Sequence, residues 1–428
     1  MSDRRAVVTG YGVLSPVGLG ADANWEGLVA GRSGIADITG FDTTGFDIHV
    51  AGEVKGFDAR QHMDARDVRR HDRNTHFAVA AAGEALRHAG LLDANGQLDA
   101  GQADPDRFGM VVGTSIGGIG MISDGVLTLD KRGVDRVSPF LIPHMIPDAA
   151  SGMVAIQYGI RGPNMAIVSA CATGGHAVGE AMESIARGQA DIMLGAGTDA
   201  VVVPLAIAGF SQMKALGTPV DPDSGEYNPQ IASRPFDATR NGFVVSEGCT
   251  VLVLEELEHA LARGATPIAE VVGYGSSADA VHMVAPAEKG EGNQRAMRAA
   301  LDRAGLEAQA VDYINAHGTS TPLNDRYESM AIEAVFGEHA RNGLAISSSK
   351  SMTGHMMGAA GAFEAWVCVK TIQTGCIPPT INYRHPDPDL TLDYVPNQAR
   401  QADVRVALSN SMGLGGHNST VIVRAYEE

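Results

Sequence analysis

The sequence predicts an α/β protein with buried strands, and three observations support that prediction. The chain has 428 residues, of which 44% are hydrophobic and 19% charged, a composition typical of globular proteins and not of disordered ones. Short β-branched runs alternate with alanine-rich stretches, a pattern that indicates strands layered between helices. Glycine accounts for 52 residues and aromatic residues for only 5%, so we expect close packing through small side chains.

The individual elements follow from local patterns along the chain. Each predicted strand is a short apolar run, and each predicted helix is a longer stretch rich in alanine. A polar loop is expected where Pro, Asp, Ser and Gly cluster. The predicted strands are 6–8, 110–112, 193–195 and 251–254, the predicted helices are 24–30 and roughly 177–186, and the predicted loop is 219–228.

A weak internal repeat divides the chain into two halves. Residues 268–275 run from a strand into Gly-x-Gly, as residues 6–12 do at the start of the chain. We interpret this similarity as a duplication, because a fixed self-similar period indicates repeated structural units. The predicted halves are 1–260 and 261–428, joined by the charged helical segment 255–264.

Composition also limits the partners and the compartment. The net charge of −18 argues against nucleic acid as the main partner. No apolar stretch approaches the roughly 18 residues of a membrane span, and we see no signal-peptide pattern before the first strand. Four cysteines without a CxxC pair form no disulfide framework. We therefore expect a reduced, cytoplasmic protein that binds neither membrane nor nucleic acid.

Cys171 is a candidate nucleophile. It follows a strand-like run and precedes the helix predicted at 177–186, so we expect it at a strand-to-helix turn. A helix N-terminus favours the thiolate, which would lower the pKa of the thiol. The alternative is a buried cysteine that acts only as a small hydrophobic residue, and the local sequence favours neither interpretation.

Two histidines lie in loops rich in glycine and hydroxyl groups. His317 follows an apolar run and His355 follows a serine-rich run, so we expect both at strand ends, where α/β sites assemble. Surface or core histidines are the alternative interpretation. A zinc site with Cys171 is disfavoured because the spacings of 146 and 38 residues match no metal module. The Gly-rich loop 410–418 could supply backbone oxyanion donors or form a simple turn.

Seven motifs, in order along essentially the whole chain, resemble the β-ketoacyl-acyl-carrier-protein synthases, and in particular the elongating synthase II type. The resemblance implies a thiolase-like fold, with two βαβαβ-based halves stacked in five αβαβα layers, normally as a homodimer. The motifs are VVTGYGVLSPVG at 7–18, GTSIGG at 113–118, SACATG at 169–174, ASRPFD at 232–237, NAHGTSTPLND at 315–325, SSKSMTGHMMGAAGAFE at 348–364 and NSMGLGGHNS at 410–419.

The resemblance also implies a mechanism. Cys171 would take an acyl chain from acyl carrier protein as a thioester, and malonyl-carrier protein would then lose CO₂, giving an enolate that attacks the acyl group. His317 and His355 would stabilise the enolate as N–H donors, and Lys350 would set the electrostatics. The backbone N–H groups of Cys171 and Leu414 would hold the acyl oxyanion. No metal or other cofactor is implied, because the substrates are carried on the phosphopantetheine of the carrier.

The remaining site residues are assigned by the same resemblance. They comprise charged groups around the histidines, hydroxyls for the pantetheine arm, an acyl pocket and a basic patch for the acidic carrier. These are, in that order, Glu328, Glu364 and Asp325; Thr319 and Thr321; Ile116 and Phe210; and Arg66, Arg69, Arg70, Lys131, Arg132, Arg136 and Lys214.

The chain departs from the family pattern in three places. Met412 and Leu414 replace the two Phe residues of the family's gating loop, so control of acyl entry is expected to be looser. The segment 246–250 differs from the usual G-E-G-A-G run, and the loop 219–227 is longer than usual. Besides fatty acid elongation, these departures leave open a ketosynthase of polyketide or polyene assembly, either as a homodimer or as a heterodimer with a related chain-length subunit.

Other classes fit the residues less well. An inactive chain-length factor lacks the active cysteine, whereas this chain has Cys171 and both histidines. A degradative thiolase needs a second cysteine in the C-terminal Gly-rich loop, and residues 413–419 contain none. A synthase that primes with acyl-CoA would carry His and Asn in place of two His.

Overall fold

The computed structural model describes residues 4–427, and the elements below belong to that range. All four predicted strands are present, and each extends beyond its apolar centre. The strands are β1 Ala6–Ser15, β2 Gly18–Leu19, β3 Ile35–Asp37, β4 Val50–Gly52, β5 Phe108–Gly113, β6 Asn164–Met165, β7 Ile192–Asp199, β8 Gly248–Glu256, β9 Ala269–Ala278, β10 Tyr313–Asn315, β11 Ala345–Ser347, β12 Cys376–Ile377, β13 Arg400–Gln401, β14 Val406–Gly413 and β15 His417–Ala425.

Both predicted helices are present as well, and the segment predicted to join the halves is helical from 257 to 262. The helices are α1 Ala21–Val29, α2 Ala65–Val68, α3 Arg73–His88, α4 Ile119–Arg132, α5 Leu141–Met145, α6 Ala149–Tyr158, α7 Thr173–Ala186, α8 Pro204–Gln212, α9 Leu257–Ala262, α10 Glu291–Ala304, α11 Pro322–Phe336, α12 Glu338–Asn342, α13 Lys350–Thr353 and α14 Ala360–Thr374.

The sheet repeats one strand order in the two halves of the chain. The first half runs β6-β5-β7-β8-β1 and the second runs β11-β10-β14-β15-β9. If the five strands named for each half are renumbered 1 to 5 in chain order, both halves have the spatial order 3-2-4-5-1. The parallel and antiparallel pairs also match between the halves. Three antiparallel register pairs between β1 and β9 join the halves. This repeat supports the proposed division into 1–260 and 261–428.

The helices form three layers around the strands. Helices α3 and α6 pack on the outer side of the first half, and α10 and α11 lie on the outer side of the second. Helices α7 and α14 lie between the halves, where each contacts strands of both. A side chain at Gly174 of α7 would come 2.5 Å from the backbone nitrogen of Ala362 in α14, so glycine permits this close approach. The result is the five-layer thiolase-like fold.

Two local predictions are wrong. The apolar run 166–168 before Cys171 is not a strand, because regular pairing with β5 ends at Met165. The Gly-rich segment 410–418 is mostly strand: β14 and β15 pair along it, and only 414–416 form the turn. The run 166–168 has the composition of a strand and only tertiary pairing leaves it out of the sheet, whereas the glycines of 410–418 made strand resemble loop. No helix among residues 4–427 is long and apolar enough to cross a membrane.

Candidate active site

Cys171 lies in a short 3₁₀ turn, Ala170–Ala172, directly before α7. Ala170 has φ of +50°, the left-handed region that residues other than glycine rarely adopt, so the turn holds the nucleophile in a strained loop. The end of β14 packs against this turn, since a Cβ built on Gly413 would lie 3.1 Å from the Cys171 nitrogen. The nucleophile from the first half thus lies beside a hairpin of the second.

The expectation of a lowered thiol pKa is wrong for the free protein. Burial raises the pKa of Cys171 to about 11. The Lys350 charge and the backbone N–H groups of Leu414 and of Cys171 itself act in the opposite direction, without reversing that shift. At neutral pH the resting group is therefore a thiol, because the start of α7 does not outweigh desolvation.

The two candidate histidines lie together. The centroids of the His317 and His355 rings are 5.3 Å apart, and the rings are nearly perpendicular. His317 follows β10, as expected. His355 does not directly follow a strand: it comes after α13, and its backbone N–H donates to the Val244 carbonyl at 2.7 Å. Both side chains are buried.

Lys350 connects these groups electrostatically. Its ammonium pairs with the carboxylate of Glu364, and both side chains are almost fully buried. The Lys350 Nζ also lies 3.4 Å from Nδ1 of His317. Burial, reinforced by the Lys350 charge, holds the pKa of His317 and of His355 well below the usual histidine value, so both rings are neutral. An ammonium only donates, so Nδ1 of His317 accepts and the ring proton lies on Nε2.

The carboxylates of α11 hold the histidine loop and do not bond to Lys350. Glu328 accepts the backbone N–H groups of His317 and Gly318, both at 2.8 Å. Burial raises the pKa of Glu328 to about 7. Asp325 accepts the backbone N–H of Ser320 at 3.2 Å and that of Phe236 at 2.9 Å. Of the three expected charged neighbours, only Glu364 pairs with Lys350.

The predicted pantetheine and acyl-pocket residues have different surroundings. The hydroxyls of Thr319 and Thr321 lie 2.9 Å apart at the start of α11. The Phe210 ring contacts Phe243 at a centroid distance of 5.5 Å, and Phe243 contacts His355 at the same distance. Cys171 packs against the same apolar cluster as both phenylalanines. Ile116, in the loop before α4, is 36% exposed and lies outside that cluster.

The two residues predicted to form the gate differ in exposure. Leu414 lies at the tip of the β14–β15 hairpin and is 36% exposed. The Gly415 N–H donates to the carbonyl of Met283, which fixes the turn. Met412 is a buried strand residue of β14 and pairs with Asn418 across the hairpin. Met412 is therefore less accessible than Leu414.

Sequence reasoning missed two residues of the site. Asp199, at the end of β7, accepts the Thr114 hydroxyl and the Gly358 N–H, each at 2.6 Å, and so connects the loops on both sides of the nucleophile turn. Burial raises its pKa to about 6. An acidic residue ending an otherwise apolar strand is the signal that could have found it. Phe243, which contacts His355, has no comparable signal.

The predicted basic patch is exposed. Arg70 differs from the rest, because it is only partly exposed and its guanidinium lies 4.1 Å above the ring of Phe140. Within residues 4–427 the other six form no ion pair, and all six are exposed. They lie on or beside α2, at the end of α4 and after α8, and are Arg66, Arg69, Lys131, Arg132, Arg136 and Lys214. Over the same range no group of three or more His, Cys, Asp or Glu side chains could hold a metal ion.

Comparisons with known proteins agree with this geometry. Residues 3–260 match the model of the Beta-ketoacyl synthase, N-terminal domain, and residues 268–384 match the Beta-ketoacyl synthase, C-terminal domain. The 3-oxoacyl-[acyl-carrier-protein] synthase 2 of Staphylococcus aureus is 46% identical over 425 residues, which is 99% of either chain.

Two solved structures show the same fold at full length. The ishigamide ketosynthase/chain length factor has a TM-score of 0.89 and 39% identity, covering 99% of this chain and 100% of that one. The second structure is a type II polyketide synthase acyl-carrier protein in complex with its ketosynthase bound to the hexaketide. The matching chain of that complex has a TM-score of 0.88 and 36% identity, and the match covers 99% of this chain and 100% of that one. With a nucleophile turn, two neutral histidines and family matches over both halves, the chain belongs to the β-ketoacyl synthase family.

Proposed function

We propose that this chain condenses an acyl group held on Cys171 with malonyl-acyl-carrier protein, releasing CO₂ and forming 3-oxoacyl-acyl-carrier protein. The observation that carries the proposal is the grouping of His317 and His355, whose ring centroids are 5.3 Å apart, with Lys350 at 3.4 Å from His317. Cys171 packs in the same apolar cluster as Phe243, the ring that contacts His355. Two neutral imidazoles beside a cysteine supply N–H donors for an enolate, which is what decarboxylation requires.

The steps use groups already in place. The Cys171 sulfur attacks the acyl thioester of the carrier, the bond from the acyl carbon to the pantetheine sulfur breaks, and the Cys171 proton passes to the departing pantetheine sulfur. The malonyl carboxylate then leaves as CO₂, and the electron pair of the broken C–C bond forms an enolate. Nε2–H of His317 and an N–H of His355 stabilise its oxygen. The enolate carbon attacks the acyl carbonyl, and the Cys171 thiolate is expelled.

We propose that the acidic carrier protein docks on the six exposed cations, which are free to pair with carboxylates. Complementary charge raises the rate at which the two proteins associate, and this rate enhancement decreases as the salt concentration rises. Reversing Lys131 and Arg132 to Glu is expected to raise KM for the carrier several-fold with kcat unchanged. The same reversal at Arg326, an exposed cation on α11, is the control. An equal KM for both variants would contradict this docking surface.

We propose that the chain forms a dimer in which the first half, residues 1–260, binds a second copy of the chain. Strand β6 lies at the end of the sheet order and has one unpaired edge. Apolar side chains on α4 and α6, on β6 itself and just after it are more than 40% exposed, and contiguous apolar patches mark interfaces. Light scattering is expected to give twice the chain mass, and a monomer would contradict the dimer. The exposed residues are Val126, Leu127, Leu129, Ile156, Met165 and Val168.

The similarity to the synthase 2 relatives favours fatty acid elongation as the pathway. The four free cysteines support a reducing compartment such as the cytoplasm. A polyketide ketosynthase with a chain-length partner is the second candidate. Leu414 at the hairpin tip and the two ketosynthase structures favour it.

The test is intact-protein mass spectrometry with a panel of acyl-carrier proteins, followed by malonyl-carrier protein. Loading and release of saturated C8–C16 chains supports elongation. Turnover only of short or unsaturated chains, or only with a second subunit, supports the polyketide candidate. Absence of any acyl adduct under all conditions contradicts both.

A further inference from the structure

The two backbone donors proposed for the acyl oxyanion come from different halves of the chain. One is the N–H of Cys171 in the turn before α7, and the other is the N–H of Leu414 in the β14–β15 hairpin. They belong to different elements, so their separation depends on how the turn and the hairpin are held against each other. We infer that His176, buried in α7, is the positioning residue that sets the distance between these donors, an inference that rests on the proposed function.

The His176 ring bridges the two halves directly. Its Nδ1 lies 2.6 Å from the hydroxyl of Ser169, and its Nε2 lies 3.3 Å from the carbonyl oxygen of Asn418. The Ser276 hydroxyl is a further neighbour of Nε2, at 3.1 Å. A carbonyl can only accept, so Nε2 carries the proton and Nδ1 accepts from Ser169. Burial lowers the pKa of His176, which agrees with this neutral tautomer.

On one side the bridge holds the nucleophile turn. Ser169 is two residues before Cys171, and its own backbone N–H donates to the Thr173 hydroxyl at 2.8 Å. Between them lies Ala170, with its positive φ. A residue in that conformation persists only where its neighbours hold it, so the bond from Ser169 to the ring supports the strained geometry that orients the Cys171 N–H.

On the other side the bridge holds the hairpin. Asn418 pairs with Met412, and its side-chain amide donates to Asp279 at 2.7 Å and to the Gly416 carbonyl at 3.2 Å. Asn418 therefore fastens both ends of the turn that presents the Leu414 N–H. The ring thus connects the supports of both donors through two hydrogen bonds.

The chemical consequence is specific to steps that form an oxyanion. Removing one aligned oxyanion donor lowers the rate of the step that forms the oxyanion by about 10²- to 10³-fold, and misaligning a donor lowers that rate by a smaller factor. Alkylation of the same sulfur by iodoacetamide forms no oxyanion. If His176 positions the oxyanion donors, its loss slows acylation of Cys171 and leaves alkylation unchanged. If His176 only supports folding, its loss slows both reactions.

The test compares acylation and alkylation in His176→Asn and His176→Gln. The Asn amide can replace Nδ1 and retain Ser169, and the longer Gln amide can replace Nε2 and retain Asn418. Each variant therefore breaks one side of the bridge. We expect single-turnover acylation from acyl-carrier protein to fall about 10- to 100-fold in both, with alkylation within about threefold of wild type.

Two hydroxyl variants keep the test decisive if a His176 variant fails to fold. Ser169→Ala removes only the contact on the nucleophile side and is expected to slow acylation about 5- to 20-fold. Ser276→Ala removes a hydroxyl that contacts the His176 ring but belongs neither to the nucleophile turn nor to the β14–β15 hairpin. It is the matched control, and we expect near wild-type rates of acylation and alkylation.

The outcomes separate this inference from the proposed function. Wild-type acylation rates in both His176 variants would overturn the inference and leave the proposed function standing. A parallel fall in acylation and alkylation would also overturn it, because the ring would then support only local folding. A wild-type protein that never forms the Cys171 thioester would overturn the proposed function and the inference with it.

Discussion

The buried pair of Lys350 and Glu364 offers the sharpest prediction about stability. Lys350→Met keeps an unbranched side chain, one heavy atom shorter, and removes its charge, which leaves the Glu364 carboxylate buried without its cation. Both side chains are at most 2% exposed, so the full cost of breaking a buried pair applies, about 3–5 kcal/mol. At about 2.1 cal/mol/K per residue, the unfolding entropy of 428 residues is about 0.9 kcal/mol/K, so Tm should fall by about 3–6 °C.

The penalty is expected to depend on pH with a definite sign. Burial already raises the pKa of Glu364 above its usual value of 4.5, and removal of the Lys350 charge raises it further. A carboxyl whose folded pKa exceeds its unfolded pKa loses stability as pH rises between the two values. The loss of Tm in Lys350→Met should therefore be larger at pH 8 than at pH 6.

Differential scanning calorimetry at these two pH values is the assay, and Lys350→Met/Glu364→Gln is the control. The double variant removes both charges and should recover more than half of the lost Tm, without recovering condensation. Equal Tm values for the single and double variants, or a penalty that does not change with pH, would refute the reasoning.

Three further predictions concern catalysis. Alkylation of Cys171 should accelerate about tenfold per pH unit between pH 7 and 9, because the thiol pKa is raised to about 11 and only the thiolate reacts; a plateau below pH 8 would contradict the raised pKa. Leu414→Phe should narrow the range of acyl lengths loaded in a mixed-chain competition assay, and an unchanged profile would count against a gate at the hairpin tip. Glu328→Gln should lower kcat about tenfold, because an amide holds the His317 and Gly318 N–H groups more weakly than a carboxylate; a change confined to KM would argue against that anchoring role.

The fold class could be predicted because it has strong local signals. Apolar runs ending in glycine marked the strands, and the ordered motifs selected Cys171, His317, His355 and Lys350 as candidate site residues. The repeat between 6–12 and 268–275 also pointed to the duplicated strand order before any contact was known.

The remaining features depend on tertiary contacts that no local pattern encodes. Burial reversed the expected pKa shift of Cys171, and packing left Met412 buried while Leu414 stays partly exposed. Glu328 on α11 holds the His317 loop, whereas Glu364 on α14 pairs with Lys350. Long-range packing sets these outcomes, so spacing alone could not distinguish them.

The most direct test of the central claim is intact-protein mass spectrometry of wild type and Cys171→Ala after incubation with acyl-carrier protein. The account predicts one acyl adduct on wild type and none on the variant. It also predicts that malonyl-carrier protein removes the adduct and yields a 3-oxoacyl product with one CO₂ released per turnover. An equal adduct on Cys171→Ala, or an adduct that malonyl-carrier protein never discharges, would contradict it.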